Sequence, residues 1–547
     1  MTDGFSQAYA EYLDGTYDSP DRIVLKAYFR QGHIPGGFRN WWRQLYGNDD
    51  DLDDAHLMRL AGRFSRRLRA YGKKEGIPVI DCPASERKAE LAQKYMPEEP
   101  TFVGLFLVLV GRATAPAWHV HRGPEGRIQT IVRKYPLVSH YYFHIIDPDW
   151  GHVTIRMSGH PPFPAQIILN GHEYLARQAR QAGLSFQKEG NCFTQVGSGT
   201  DLAQLAETLG SMNTVGPLRQ VCERWLYSTC LCFALPLADQ ERTGFRYDYS
   251  LFQVEYSHNL LFQRGLQMEQ LVEALIDRTR TRLDVKRLKT ILGAKRRPFR
   301  QQGHSQPRLE VVTERPRYNL TVFKIHFGLL TLKLYTKGAN VLRVEVIVHN
   351  TKALSRSRSL TNFPAIIAQL KAILYRFLDH LQGIDACFIA DDTLDTLAQA
   401  SYLGQTRMAG IDLNKSRLRA VLAAVVSLAL SPTGFTASDL AAKVRDILHL
   451  SPAAYQPRHA AYDLKKFRAK QWLRKIGPSR RYEATPDGLR TMAALLIVRE
   501  KVIKPVLAGA GKPKPGPKPR RVTVLDTLYQ TIHVAMRDLF LALGVAV

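Results

Sequence analysis

Acidic residues are scarce in this chain: 49 Asp and Glu stand against 76 Lys and Arg, leaving a net charge of +27 with histidine neutral. Such an excess points to a polyanion partner, because each neutralised phosphate releases condensed counterions; an anionic membrane or an acidic protein is the less favoured alternative. Cysteine is also scarce. Six in 547 residues make no disulfide framework, and a reduced cytoplasmic, nucleoid-associated setting is expected. Cys222, Cys230 and Cys232 cluster, but without the paired two-residue gaps of a zinc ribbon, so they read as buried thiols. Long apolar runs are missing: Phe102 to Val110 and Ala420 to Leu430 fall short of the ~20 residues that span a bilayer. Met1 to Gln7 carries neither a basic region nor an apolar one, so no secretory signal and no membrane partner are expected. No repeat at solenoid or propeller spacing is visible.

What remains is a globular composition, 45% hydrophobic and 10% aromatic, which excludes a disordered chain, a collagen-like fibre and a disulfide miniprotein. The expected fold class is α+β and multidomain, with a mixed helical and β central region and a C-terminal winged helix. Residues 1–100 read as a basic helical region. Leu57, Leu60, Phe64, Leu68 and Tyr71 make an apolar stripe there, preceded by the acidic run Asp49 to Asp54, which suits a helix N-terminus or, less readily, a metal. Residues 101–277 read as a His-rich α+β domain, with strands at 102–110, 141–146, 152–157 and 165–169, an Asn170-Gly171 turn, and helices at 173–183, 201–209 and 217–233. A basic linker spans 278–310. Lys286, Arg287, Lys289, Arg296 and Arg297 lie in it, and it reads equally as a solvated connector or a phosphate-contacting segment. Strands at 320–327, 329–335 and 341–348 and a helix at 360–381 occupy 311–400.

Residues 415–505 hold the most ordered series of signals. Helices are expected at 417–430, at 437–448 capped by Thr436 with Asp439, and at 458–470 opened by Pro457 with Ala461, Leu464 and Phe467 inward. Two short strands, 472–476 and 480–485, flank Gly477-Pro478-Ser479, and a closing helix starts at Pro486. Three helices followed by a basic hairpin resemble the winged helix-turn-helix of MarR-type bacterial regulators over 417–503. The resemblance implies a third helix in the major groove, presenting Arg458, His459, Tyr462, Lys465, Lys466 and Arg468, with Arg480 and Arg481 on the wing. A protein-docking module is the alternative. A Lys/Pro-rich tether (506–522) and an amphipathic helix (523–547) follow; that helix packs back or forms a homodimer.

Histidine is concentrated. Seven of 17 fall within residues 119–172, where even scatter would place roughly two. His119, His121, His144, Asp147 and Asp149 are candidate ligands for a divalent metal, Mg or Mn. His119-Val120-His121 resembles the metal motif of relaxases and rolling-circle replication initiators. That resemblance implies a metal-polarised phosphodiester attacked by a tyrosine, with Tyr141 and Tyr142 the nearest candidates. Leu334 to Gly338 leading into Leu342 to Val346 resembles a strand pattern of filamentous-phage and small-plasmid replication initiators. Arg343 and Glu345 there read equally as a cross-strand ion pair.

The combined expectation is a DNA-binding protein of a mobile element or phage- or plasmid-like replicon, acting on double-stranded DNA through a winged helix and carrying metal-dependent nicking activity. The alternatives are a non-catalytic transcriptional regulator, whose histidines are structural, and an RNA-binding protein.

Overall fold

Leu13–Phe29 is a strand of 17 residues that forms the middle of an extensive β-sheet. The sequence pattern hides it. Pro20 and the flanking acids Asp18 and Asp21 interrupt the alternation, and the strand absorbs them in a bulge between Pro20 and Ile23. The computed structural model describes residues 3–83, 86–272, 308–310, 321–354, 356–385, 396–499 and 524–542. The chain divides into two units, one of residues 9–270 and 310–374, the other of 1–8, 271–309 and 375–547. The protein is mixed α+β, and its main sheet is mostly antiparallel.

In the larger unit the strands follow the spatial order Thr321–Phe327, Leu330–Lys337, Val341–Val348, Tyr247–Phe262, Leu13–Phe29, Ala165–Asn170, Gly151–Ser158, Leu137–Asp147, Gly104–Thr114 and Val79–Asp81. Only the last pair is parallel among the registers described. Segments read separately from the sequence, 1–100, 101–277 and 311–400, thus all contribute strands to one sheet, because Tyr247–Phe262 lies between Leu13–Phe29 and Val341–Val348.

Strand alternation gives the sheet two chemically different faces. On one, Ile23, Leu25, Ile155, Ile167 and Phe143 are fully buried, and the helix Asp54–Glu75 brings its Phe64 ring 6.5 Å from that of Phe143. Of the expected stripe, Leu57, Leu60, Phe64 and Leu68 are buried, with the Phe64 ring 4.4 Å from that of Tyr141, whereas Tyr71 is exposed. Asp53 caps this helix by accepting from the His56 amide at 2.7 Å, so the acidic run serves a helix start. The other face carries Arg22, Lys26, Gln166 and Arg156, which oppose one another across adjacent strands or alternate along one. Helices Gly171–Gln181 and Gly199–Leu209 cover part of that face, packing Leu175 and Leu202 against Tyr17 and Phe193. Asn170-Gly171 is not a hairpin turn. Asn170 caps the first of these helices, and a Cβ at Gly171 would sit 1.8 Å from the Pro20 carbonyl oxygen, so only glycine fits.

The smaller unit contains helices Ser416–Ala429, Ala437–Leu448 and Pro457–Ala469, a hairpin of Leu473–Lys475 with Tyr482–Ala484, and the helix Pro486–Ile497. Thr436 and Asp439 form a reciprocal capping box, short as the aspartate is. Phe435 exchanges two backbone hydrogen bonds with Tyr482 and so attaches the preceding loop to the hairpin. The core includes Val421, Val425, Leu440, Val444, Leu464, Phe467 and Met492. In the helix Val524–Ala542, Leu528 and Ile532 are exposed. No described helix is long and apolar enough to cross a membrane.

Candidate nucleic-acid interface

The structure distributes the clustered histidines over separate environments. His119 and His121 do share one face of the hairpin Ala117–Arg122 with Ile128–Lys134, their rings 4.3 Å apart. His119 Nδ1, however, is engaged by the Asp54 carboxylate. His144 is buried on another strand beside His152, with Nδ1 3.0 Å from the His152 Nε2, and burial followed by the His152 charge pushes its pKa down to about 3. Asp147 is fully buried. It accepts from the amides of Asp149 and Trp150, from the Trp225 indole and from Arg224, which also holds Asp149 at 2.9 Å. The five candidate metal ligands are therefore not brought together among the described residues. Asp147 and Asp149 instead secure a turn to the helix Val215–Trp225.

Tyr141 points into the core, where burial raises its pKa. Tyr142 takes the opposite face, with Lys88 and Arg156 at 5.2 and 5.7 Å from its ring centroid.

The segment 334–354 builds a different centre. Arg343 is wholly buried. It donates to Asp21 at 2.9 Å, to the Asn259 side chain at 2.6 Å and to the Asn191 carbonyl at 2.6 Å, and it lies 3.3 Å from His172 Nε2. Arg343 and Glu345 do not pair with each other, but Glu345 does form a cross-strand ion pair, with Lys333 at 3.1 Å. Burial opposes ionisation of Asp21, but His172, Arg343 and Asn191 outweigh it and hold the carboxyl below its usual range. Burial, reinforced by Asp21 and Glu255 against the pull of Lys333, pushes Glu345 up. Asp21, Glu255 and Glu345 each offer an oxygen within 4.8 Å of the others, which is the one grouping with metal-binding geometry among the described residues. Of the histidine run, only His172 reaches this centre.

At one end of the same sheet a cleft of about 1480 Å³ opens where Leu13–Phe29 ends and Tyr247–Phe262 and Ala165–Asn170 begin. Its lining holds Lys26, Arg30, Arg133, Arg156, Arg219, Arg246, Lys352 and Arg358 against only Glu223 and Asp248. Leu251 N donates to the Arg358 carbonyl and Thr351 Oγ1 to the Leu251 carbonyl, which fastens the segment carrying Lys352 and Arg358 to the strand beside Lys26. Burial, then Arg358, Lys352 and Arg156, lower the Lys26 pKa, and no carboxylate is among the causes. Arg156 Nε is buried and has no hydrogen-bond partner. His140, at the cleft wall, is pushed down to about 4 by burial and then by Arg156. Four mutually repelling cations with an orphaned donor are arranged to receive an anion. These cations are scattered along the sequence from 26 to 358, and no local pattern marks them.

On the helix Pro457–Ala469 the buried residues are Ala460, Asp463, Leu464, Lys466 and Phe467, so the inward frame starts at Ala460, with Ala461 half-buried, and Lys466 is not on the outer side as expected. Arg458, Tyr462 and Lys465 stand exposed at helical spacing on the other side, and Arg468 is half-buried. His459 Nδ1 accepts from the Gln456 amide at 3.1 Å, and Lys466, 7% exposed, lies with its ammonium 5.1 Å over the Tyr462 ring. Asp463, invisible in the sequence pattern as a core group, accepts from the Tyr455 hydroxyl at 2.8 Å. On the hairpin Arg480 and Arg481 are both exposed, and Arg481 also donates to the Gly434 carbonyl at 3.0 Å. Lys286, Arg287, Lys289, Arg296 and Arg297 lie outside the described residues.

No family model, no curated protein and no solved structure matches the chain.

Proposed function

We propose that the protein binds DNA, using the basic cleft of the larger unit and the helix–hairpin segment 416–497 of the smaller one. The carrying observation is the cleft: eight Lys and Arg side chains against two carboxylates, with Lys26, Arg156, Lys352 and Arg358 close enough to depress Lys26. Phosphates supply the missing countercharge and release bound counterions as they do so. The helix–hairpin segment adds the order of elements found in winged helices, with Arg458, Tyr462 and Lys465 on the outer side of its third helix and Arg480 on the hairpin.

The test is a salt titration of DNA binding by the full chain and by Lys26→Ala/Arg156→Ala. The variant is expected to bind about tenfold more weakly at physiological salt and to lose about two from the magnitude of the log–log salt slope. Unchanged affinity and slope would remove the cleft from this reading.

Metal-dependent nicking is a second reading, favoured by one observation: Asp21, Glu255 and Glu345 converge on the sheet face that also carries Lys26 and Arg156. Labelled DNA incubated with and without Mn²⁺ decides it. Cleavage that disappears in Glu255→Gln while binding persists supports nicking; binding without cleavage under every condition eliminates it.

A further inference from the structure

Phosphate recognition accounts for the cations of the cleft but not for the large apolar side chains that line it beside them. Tyr135 is 66% exposed and Ile34 58% exposed, and both line the cleft. Water-facing rings and branched chains of this size carry a solvation cost unless a partner covers them. Their placement is fixed. Arg133 donates to the His33 carbonyl at 2.6 Å, joining the strand that leads into Tyr135 to the turn that leads into Ile34. Trp118 reinforces the junction by donating to the Gly32 carbonyl at 2.7 Å. A Cβ at Gly32 would come within 2.5 Å of the Phe29 ring, so the turn closes only with glycine. Tyr28 continues the surface, its ring 5.6 Å from His33, and it stands two residues from Lys26 on the same strand and so on the same face.

We propose that this cleft holds single-stranded DNA, with unpaired bases stacked on Tyr135 and Tyr28 against Ile34, and the phosphates met by Lys26, Arg156 and Arg358. The inference rests on the DNA-binding reading above. A duplex keeps its bases stacked on one another and presents phosphates outward, so it leaves Tyr135 and Ile34 uncovered. An unpaired strand presents both bases and phosphates and covers the apolar side chains as well as the cations. Stacking tolerates any base, because every base has a π-face, so no marked sequence preference is expected at this site.

The experiment measures binding of the full chain to an oligo-dT of about 20 nucleotides, longer than the ~4–16 a single-strand groove occupies, beside a duplex of equal length and the matching oligo-rU. Tyr135→Ala is expected to weaken oligo-dT binding about fivefold or more, as loss of one stacking ring does, while leaving duplex binding within twofold. Tyr135→Phe keeps the ring and is expected to bind oligo-dT as the parent does. Both changes fall on an exposed side chain, and matching thermal melts establish that the fold is retained. Unchanged oligo-dT affinity in Tyr135→Ala, with Lys26→Ala/Arg156→Ala still weakened, overturns the single-strand inference and leaves DNA binding in place. No change in either variant overturns both. Binding to oligo-rU more than tenfold tighter than to oligo-dT overturns the assignment to DNA.

Discussion

Arg343 and Asp21, 322 residues apart in sequence, meet at 2.9 Å with neither side chain more than 4% exposed. Such a pair constrains more than it stabilises, because desolvation of both charges offsets most of their attraction. Removing one partner is a different matter. Asp21→Ala strands a guanidinium in the interior and is expected to cost about 3–5 kcal/mol, measured by urea unfolding. Asp21→Ala/Arg343→Leu should recover part of that loss. A double variant as unstable as the sum of its singles would show that the two residues act independently.

Much of the fold could be read from periodicity, and the exceptions share a cause. The helix Asp54–Glu75 and its stripe, the strands Gly151–Ser158 and Val341–Val348, and the Thr436–Asp439 cap all obey local rules. Leu13–Phe29 does not, since its partners lie more than a hundred residues away and stabilise a segment whose own pattern is broken by Pro20. The cleft was illegible for the same reason: Lys26, Arg156 and Arg358 become neighbours only through sheet pairing. The histidine concentration was real as composition but misleading as chemistry, because alternation and strand order send His119, His144 and His172 to three different places.

Gly171 connects helix entry to the buried centre. Gly171→Ala places a Cβ against the Pro20 carbonyl, 1.8 Å away before any adjustment, and backbone is the only thing that can yield. The expected result is a loss of about 1–3 kcal/mol, together with displacement of the neighbouring His172 from Asp21. Urea unfolding gives the first quantity, and the imidazole resonance of His172 reports the second. A variant as stable as the parent would mean that the helix Gly171–Gln181 can slide without cost.

Acid should destabilise the protein through its buried histidines. Burial holds His144 down at about 3 and His140 down at about 4, whereas an unfolded histidine titrates near 6.5. Between those values the unfolded chain takes up protons that the folded one refuses, so stability falls as the pH drops below about 6.5. At pH 5 each such group accounts for about 2 kcal/mol. Unfolding free energies at pH 7 and pH 5 should therefore differ less in His144→Leu than in the parent, by about that amount. An unaltered difference would place the acid sensitivity elsewhere.

The outer side of the helix Pro457–Ala469 offers the last separation of effects. Lys465 is exposed and Arg468 half-buried one turn further on, while Lys466 between them is nearly covered. If this side lies along a duplex, Lys465→Ala/Arg468→Ala removes two phosphate contacts, lowers duplex affinity roughly tenfold and flattens the salt dependence by about two in log–log slope. Lys466→Ala, whose ammonium sits over the Tyr462 ring, should change affinity much less. The discriminating result is the ordering of the variants: a larger loss from Lys466→Ala than from the Lys465/Arg468 pair would mean that the helix presents a different side to DNA, and binding by both variants equal to the parent's would transfer duplex recognition away from this helix.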